Sequence, residues 1–461
     1  RLWAETFDRK LTDIFSVESE VARTIADQLR VRLTGREKEA IDAQPTHNTQ
    51  AHDSYLRGLA YTLKAINTPA NSLSAQKYLK EAVRLDPKFA VAWALLSYVD
   101  AHGYMIETLQ PTPALREEAR QAAETAITLQ PGLGEAVLAK GYYYYACLKD
   151  YHTAVLYFEE ARQSLPNSSQ IPELLAYVSR RQGHWDKSES YFKEAEQLDP
   201  RNVPLLTHYA VLFYTDLRRF READAKLNQV LNIIPDDPNT LSFRAGIAQA
   251  EGDLPRAAAL LANLHPNPDD TPTLETQIYQ AILERRPVPM ISRLKEILAK
   301  PDPTLGFLNG ELRFFLGWAQ QVAGDSAAAE KTWQQVRTEL ESYLKEQPEN
   351  FQLVGDLALT NAALADKAAA FSLAERAMAL MPIEKDVVYG VYPYEVLARV
   401  AAITAEPDRA CPALKKLLSM PYESAWASNM PLTPALLRLD PMFDPLRSAP
   451  CFQKLCEVKQ R

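Results

Sequence analysis

At 461 residues the chain exceeds the size at which one hydrophobic core keeps growing, so it holds either several domains or a repeat array. Its 47% apolar and 24% charged residues exclude disorder, and its 15 glycines are too few for a turn-rich fold. With 59 carboxylates against 51 Lys and Arg, a net charge of -8 and no local basic concentration, the composition argues against nucleic acid and anionic lipid as partners.

The chain opens on Leu2-Trp3-Ala4-Glu5-Thr6-Phe7, which alternates like a strand, and Asp13 can cap a helix. The stripe Val21, Ile25, Leu29 and Leu33 on that helix closes at Gly35. Together with Asp13-Ile14-Phe15-Ser16-Val17, residues 1–43 resemble the last strand and helix of the TolB-like domain. In bacterial signalling proteins, that resemblance implies, such a domain joins an effector (adenylate cyclase, Ser/Thr kinase or winged-helix regulator) to a carboxy-terminal repeat array. A start at Arg1, already inside this element and without a signal peptide in view, reads as a fragment of a longer protein.

From residue 50 onward a repeat takes over. Pro87, Pro131, Pro166, Pro200 and Pro235 are spaced by 44, 35, 34 and 35 residues, and each ends an apolar-periodic stretch. Five places before them stand Ala82, Ala126, Ala161, Ala195 and the exception Val230, and twelve places before them Ala75, Ala119, Ala154, Ser188 and Ala223. Small side chains at two fixed points on a helix let a second helix approach, and proline stops the helix because it has no N–H to donate. Leu79, Ala123, Phe158, Phe192 and Leu227, eight places before the prolines, fill the gap between paired helices.

With Leu56-Arg57-Gly58 and Tyr61, Trp93 with Tyr98, Lys140-Gly141 with Tyr144, and Arg244-Ala245-Gly246 as degenerate first helices, the chain resembles the tetratricopeptide (TPR) family. The turns Gly183-His184-Trp185, Gly252-Asp253-Leu254 and Gly324-Asp325 are also similar. The implied fold is all-α, a right-handed alpha-solenoid of about ten helix-turn-helix pairs over residues 50–420, after a short strand-helix remnant. Residues 50–235 are regular and 236–420 degenerate, with pairs at 239–264, 270–300, 306–347, 350–381 and 388–420. The second helix after Gly324 is expected to run about two turns long, because Pro348 arrives late. A change of curvature near Pro235 is expected. Residues 421–461, carrying Leu436-Leu437-Arg438-Leu439-Asp440-Pro441 and Phe443, read as a segment capping the last apolar face.

No phosphate loop, H-E-x-x-H, G-x-S-x-G or kinase signature occurs. Gly132-Leu133-Gly134 reads as a turn, and Asp236-Asp237 and Asp269-Asp270 as helix caps. The expectation is a chain without catalysis, cofactor or metal. Cys147, Cys411, Cys451 and Cys456 have no zinc spacing and read as buried or half-buried thiols; Cys451 and Cys456 can pair only in an oxidising compartment and at awkward geometry. The longest apolar runs, such as Val396 to Ala405, fall well short of the roughly 18 residues a membrane span needs. A soluble segment without membrane contact follows, cytoplasmic or periplasmic.

Of Tyr142 to Tyr145, most should be core, because consecutive helix positions point all round. In the family register the groove-facing candidates are His52, Tyr55, Tyr98, His102, Tyr143, Glu173, Tyr177, Arg180, Arg181 and His208. Aromatics with interspersed charge suit a protein or peptide partner, Arg holding a carboxylate in two parallel bonds. The reading is a non-catalytic peptide-binding scaffold within a larger signalling protein. Two alternatives stay open: a piece of an enzyme whose kinase or cyclase domain lies upstream, and a small-ligand sensor.

Overall fold

The structure, a computed structural model, describes residues 20, 21, 24, 44–64, 68–268, 270–424 and 430–457. The strand and helix expected over residues 1–43 fall outside the described residues, apart from helical positions Glu20, Val21 and Thr24.

Beyond them the chain is all-α, and the described residues form a solenoid of ten helix pairs. The first half holds α1 (Thr49–Thr62) with α2 (Pro69–Leu85), α3 (Ala90–Met105) with α4 (Pro113–Leu129), and α5 (Gly134–Tyr143) with α6 (Tyr151–Ser164). It continues with α7 (Gln170–Arg181) and α8 (Trp185–Leu198), then α9 (Val203–Tyr209) and α10 (Phe220–Ile233). The second half holds α11 (Pro238–Glu251) with α12 (Leu254–Leu261), and α13 (Thr271–Leu283) with α14 (Val288–Ala299). The pairs α15 (Leu308–Val322) with α16 (Ser326–Glu346), α17 (Phe351–Ala363) with α18 (Lys367–Leu380), and α19 (Val391–Ile403) with α20 (Pro407–Ser419) complete it. Two short helices follow, α21 (Pro434–Leu439) and α22 (Pro450–Cys456).

The repeat positions do what their chemistry requires. Every small or gap-filling residue at the three fixed offsets from the prolines is buried, from Ala75 and Leu79 to Leu227 and Val230. A methyl at Gly141 would sit 2.8 Å from the Phe158 ring, so the glycine lets α5 lie on α6. Side chains of Asn48, Thr68, Thr112, Asp150, Asn202, Asp237 and Asp270 cap the helices that follow them. At 21 residues, α16 exceeds the 14 of α18 by two turns. Its extra length seats Leu340 on Gly310, where a methyl would meet it at 2.5 Å.

The turn inside the pairs uses one left-handed residue. Gly183, Gly252 and Gly324 fill it in three pairs, at φ of 78°, 83° and 88°. In the second, third, fifth, seventh, ninth and tenth pairs the position belongs to Glu107, Lys149, Arg218, Arg285, Ala365 and Ala405, at φ between 55° and 61°. An L side chain in this region costs roughly 1–2 kcal/mol, so the four charged residues are there against local preference.

The side chains of Arg218 and Arg285 show why. The array does not run straight: its second half returns onto the first. Arg218 donates to the carbonyls of Leu417, Met420 and Leu432, and Arg285 holds Asp444 through two bonds of 2.7 and 2.8 Å. Gln347 donates to Gln110 at 3.0 Å, and Arg116 pairs with Glu349 at 3.3 Å. The carboxy-terminal segment enters the same interior: Thr433 donates to the Ala250 carbonyl, and Tyr279 and Arg399 both donate to the buried Asp440.

Cys411 and Cys451 form a disulfide with Cα atoms 6.1 Å apart, tying α20 to α22. This corrects the reading of Cys411 and Cys451 as thiols, and the pair formed is not the Cys451–Cys456 pair that an oxidising compartment could allow. Cys147 is buried, and Cys456 half-buried; both are free thiols.

Candidate binding surface

Five of the ten groove candidates come together. Tyr98 and His102 lie one turn apart on α3 with rings stacked at 5.9 Å, and Tyr98 meets Tyr142 at 4.4 Å. Glu173 and Tyr177, one turn apart on α7, share His208 of α9, whose Nδ1 lies 2.7 Å from the Tyr177 hydroxyl and 2.9 Å from Glu173 Oε1. The Tyr177 hydroxyl also donates to Glu173. With Nδ1 protonated the imidazole donates to the carboxylate, and among the described residues Nε2 has no hydrogen-bond partner. The His208 side chain is 39% exposed, so this pole of the cluster is open.

Burial shifts three of the cluster's groups, Tyr98, His102 and Tyr177, toward their neutral forms. Burial, with the nearby Glu173 charge, pushes the Tyr98 hydroxyl up to about 12. Burial and the neighbouring His208 push the His102 imidazole down to about 4. Burial, followed by Glu173, raises Tyr177 well above the phenol range. Tyr142 and Tyr177 are buried and Tyr98, His102 and Glu173 half-buried, so the strip built from α3, α5, α7 and α9 opens to solvent chiefly at His208.

The other five candidates lie elsewhere. His52 is buried, stacked between Tyr55 and Phe89 in the first pair, and Tyr55 is half-buried beside it. Tyr143 is buried, and its charged neighbours are Arg116, Arg120 and Glu117 of α4.

Arg180 and Arg181 are corrections. Both side chains are 2% exposed and are spent on partners within the chain. Arg180 meets Asp216 at 2.8 Å, Glu423 at 3.6 Å and the Leu212 carbonyl. Arg181 holds Asp386 at 3.0 Å, donates from Nε to the Tyr145 hydroxyl at 2.8 Å and lies 3.6 Å from the centre of the Tyr389 ring. The Val387 amide donates to the Arg181 carbonyl at 3.0 Å, and Tyr151 donates to Asp386. Segment 382–390 thus fills the space in which an open groove would present Arg181, while Asp216 and Glu423 engage Arg180. Burial alone would raise the Asp386 carboxyl, but Arg181, the Tyr151 hydroxyl and the Tyr389 and Val388 amides outweigh it and hold it low.

Sequence reasoning missed Lys149, which donates to the Ala146 carbonyl at 2.8 Å and lies 5.3 Å from the Tyr389 ring centre. Burial, with Arg181 nearby, pushes its amine down to about 7. It also missed Glu107, Arg218 and Asp386. A signal existed for three of these four: aligning the helix pairs of this chain on one another puts Glu107, Lys149 and Arg218 in the turn position that other pairs give to glycine. Among the described residues no group of three or more His, Cys, Asp or Glu is placed to hold a metal ion, and no helix is long and apolar enough to cross a membrane.

No family model matches the chain. A protein of Rhizobium meliloti (strain 1021) described as "Putative adenylate cyclase 3" is 34% identical over 126 residues, which are 27% of this chain and 21% of that protein. This chain therefore spans well under two thirds of that relative. Among solved structures, the Pseudomonas aeruginosa pilF protein is 20% identical, covering 48% of this chain and 92% of that one with a TM-score of 0.33. The human IFIT1 dimer with m7Gppp-AAAA is 15% identical, covering 80% and 77% with a TM-score of 0.42. YrrB, described as a TPR protein with an unusual peptide-binding site, is 14% identical, covering 43% and 97% with a TM-score of 0.28.

Proposed function

We propose that this chain is a non-catalytic, TPR-type scaffold that binds a protein or peptide and serves as an interaction or regulatory module of a larger bacterial signalling protein. The observation that carries this reading is the strip formed by Tyr98, His102, Glu173, Tyr177 and His208. It spans the first helices of the second, fourth and fifth pairs and offers the half-buried Tyr98 and His102 rings, one acceptor carboxylate and one exposed imidazole. Such a surface gives contact area at low entropy cost and directional bonds to a backbone.

The test is affinity capture with the wild-type chain and with a Tyr98→Ala/His208→Ala variant, followed by calorimetric titration of the captured partner. A partner whose affinity falls at least tenfold with the variant supports the assignment. Equal affinity places binding on another surface. Arg180 and Arg181 are unsuitable for this experiment, because removing one side of a buried ion pair costs about 3–5 kcal/mol of stability whether or not a partner binds.

A second reading, that the polypeptide also carries an adenylate cyclase domain upstream, is favoured by the 126-residue match. Reading the complete gene and assaying the full-length product for cyclic AMP formation tests it. On either reading the segment described here supplies regulation or docking rather than the reaction.

A further inference from the structure

Segment 382–390 joins α18 to α19, lies outside both helices and rests on the third and fourth helix pairs as a bound peptide would. Arg181 and Tyr151, which receive Asp386, stand 205 and 235 residues before it. The receiving surface adjoins the aromatic strip. Glu173, Tyr177 and Arg181 follow one another at four-residue steps along α7. Arg181 Nε donates to the Tyr145 hydroxyl at 2.8 Å, the Tyr145 ring lies 5.6 Å from Tyr142, and Tyr142 is the neighbour of Tyr98.

The two oxygens of Asp386 have separate tasks. Oδ1 accepts the Val388 and Tyr389 amides, both at 2.9 Å, and shapes the segment into a turn. Oδ2 faces the receiving surface and accepts from Arg181 Nη1 at 3.0 Å and from the Tyr151 hydroxyl. Three residues on, the Tyr389 ring centre lies 3.6 Å from the Arg181 guanidinium and 5.3 Å from Lys149 Nζ. Between them the Val387 amide donates to the Arg181 carbonyl at 3.0 Å, a backbone bond open to any residue but proline. Asp386 and Val388 are buried, Val387 and Tyr389 half-buried, and Glu384 and Lys385 on the outer edge exposed. One carboxylate, one ring three residues later and one backbone N–H are the groups by which a short acidic peptide is held at an arginine.

We propose that segment 382–390 is an internal ligand of the scaffold: it fills, and thereby closes, a site for partner peptides that carry an aspartate followed three residues later by an aromatic side chain.

This deepens the peptide-binding reading above and rests on it. A tethered segment competes at an effective concentration on the order of millimolar. A free peptide making the same contacts therefore binds the closed chain weakly, and binds well once the segment's own hold is loosened.

The experiment titrates a fluorescein-labelled peptide with the chain's own sequence from Pro382 to Gly390 into the wild-type chain and into Asp386→Asn, read by fluorescence anisotropy. In the variant Arg181 has lost the Asp386 anion, which the aspartate of the free peptide supplies. The internal ligand requires at least tenfold tighter binding to the variant than to the wild type, and loss of that gain when the peptide carries asparagine instead of aspartate. Equal affinity for the two chains, or a gain that the asparagine peptide shares, overturns it. If Asp386→Asn does not fold, Tyr389→Ala, which keeps the Arg181–Asp386 pair, replaces it. Tighter peptide binding than to the wild type then supports the internal ligand, and equal affinity overturns it. Tyr98 and His208 are unchanged throughout, so a negative result here counts against the internal ligand alone, whereas the Tyr98→Ala/His208→Ala capture tests the strip.

Discussion

Arg218 and Leu432, 214 residues apart in sequence, are joined by two hydrogen bonds from one guanidinium to one carbonyl, at 3.1 and 3.0 Å. The same guanidinium reaches the carbonyls of Met420 and Leu417 at 2.7 and 2.9 Å, so one side chain from an intra-pair turn ties down the end of α20 and the strand of chain leading to α21. Arg218 holds a left-handed backbone at φ 56° to make this reach. Arg218→Ala keeps the backbone cost and loses all four bonds. With about 1–3 kcal/mol for each buried group left unsatisfied, the loss should come to roughly 3 kcal/mol, read by urea unfolding.

Ala365 and Ala405 occupy the same turn position at φ 61° and 55°. Their methyl side chains make no polar bond in return for the strain. Ala365→Gly and Ala405→Gly should each therefore stabilise by about 0.5–1 kcal/mol, the relief of left-handed strain less the added chain entropy. Arg218→Gly relieves the same strain and should still destabilise. Thermal melts of the three variants check the contrast.

The Asp386 carboxyl is held low in the folded chain chiefly by Arg181, against the opposing effect of burial. A depressed folded value gives stability that is present above the unfolded value of about 3.9 and is lost as pH falls through the folded one. Asp386→Asn should destabilise by about 3–5 kcal/mol at pH 7, because Arg181 stays buried without its anion. The variant should also lose less stability than the wild type on acidification below pH 4. Unfolding curves at pH 7, 4 and 3 measure both effects.

The disulfide should be found by peptide mapping under non-reducing conditions as a Cys411–Cys451 linkage, with Cys147 and Cys456 alkylated after unfolding. Reduction should lower stability by about 2–4 kcal/mol, the usual effect of removing one cross-link. Proteolysis beginning near α22, before the core, should accompany it.

Much of the helix pairing was legible because it rests on short-range regularities. Prolines near a 34-residue period and small residues at two fixed offsets specify which faces pack, and Gly183, Gly252 and Gly324 mark turns. The long α16 was legible from the lateness of Pro348. Closure of the array was not, because Arg181 meets Asp386 across 205 residues and no local period encodes that distance. In the family register the last turn of α7 faces an open groove, so Arg180 and Arg181 read as surface cations; return of the second half turns them into interior ion pairs. That Tyr98, His102, Glu173, Tyr177 and His208 share one side of the array was legible because their proximity depends on pairs near one another in sequence.

The central claim is that the chain's own segment 382–390 occupies the inner face of α7. Its most direct measurement is hydrogen exchange at the Val387 amide, which lies outside every helix and donates to the Arg181 carbonyl at 3.0 Å. If the segment is docked, this amide exchanges as slowly as those of the core helices, through unfolding of the surrounding structure. Exchange at the rate of an unprotected loop, with the helices of α7 and α19 still protected, would contradict the claim and return Arg181 to an open groove.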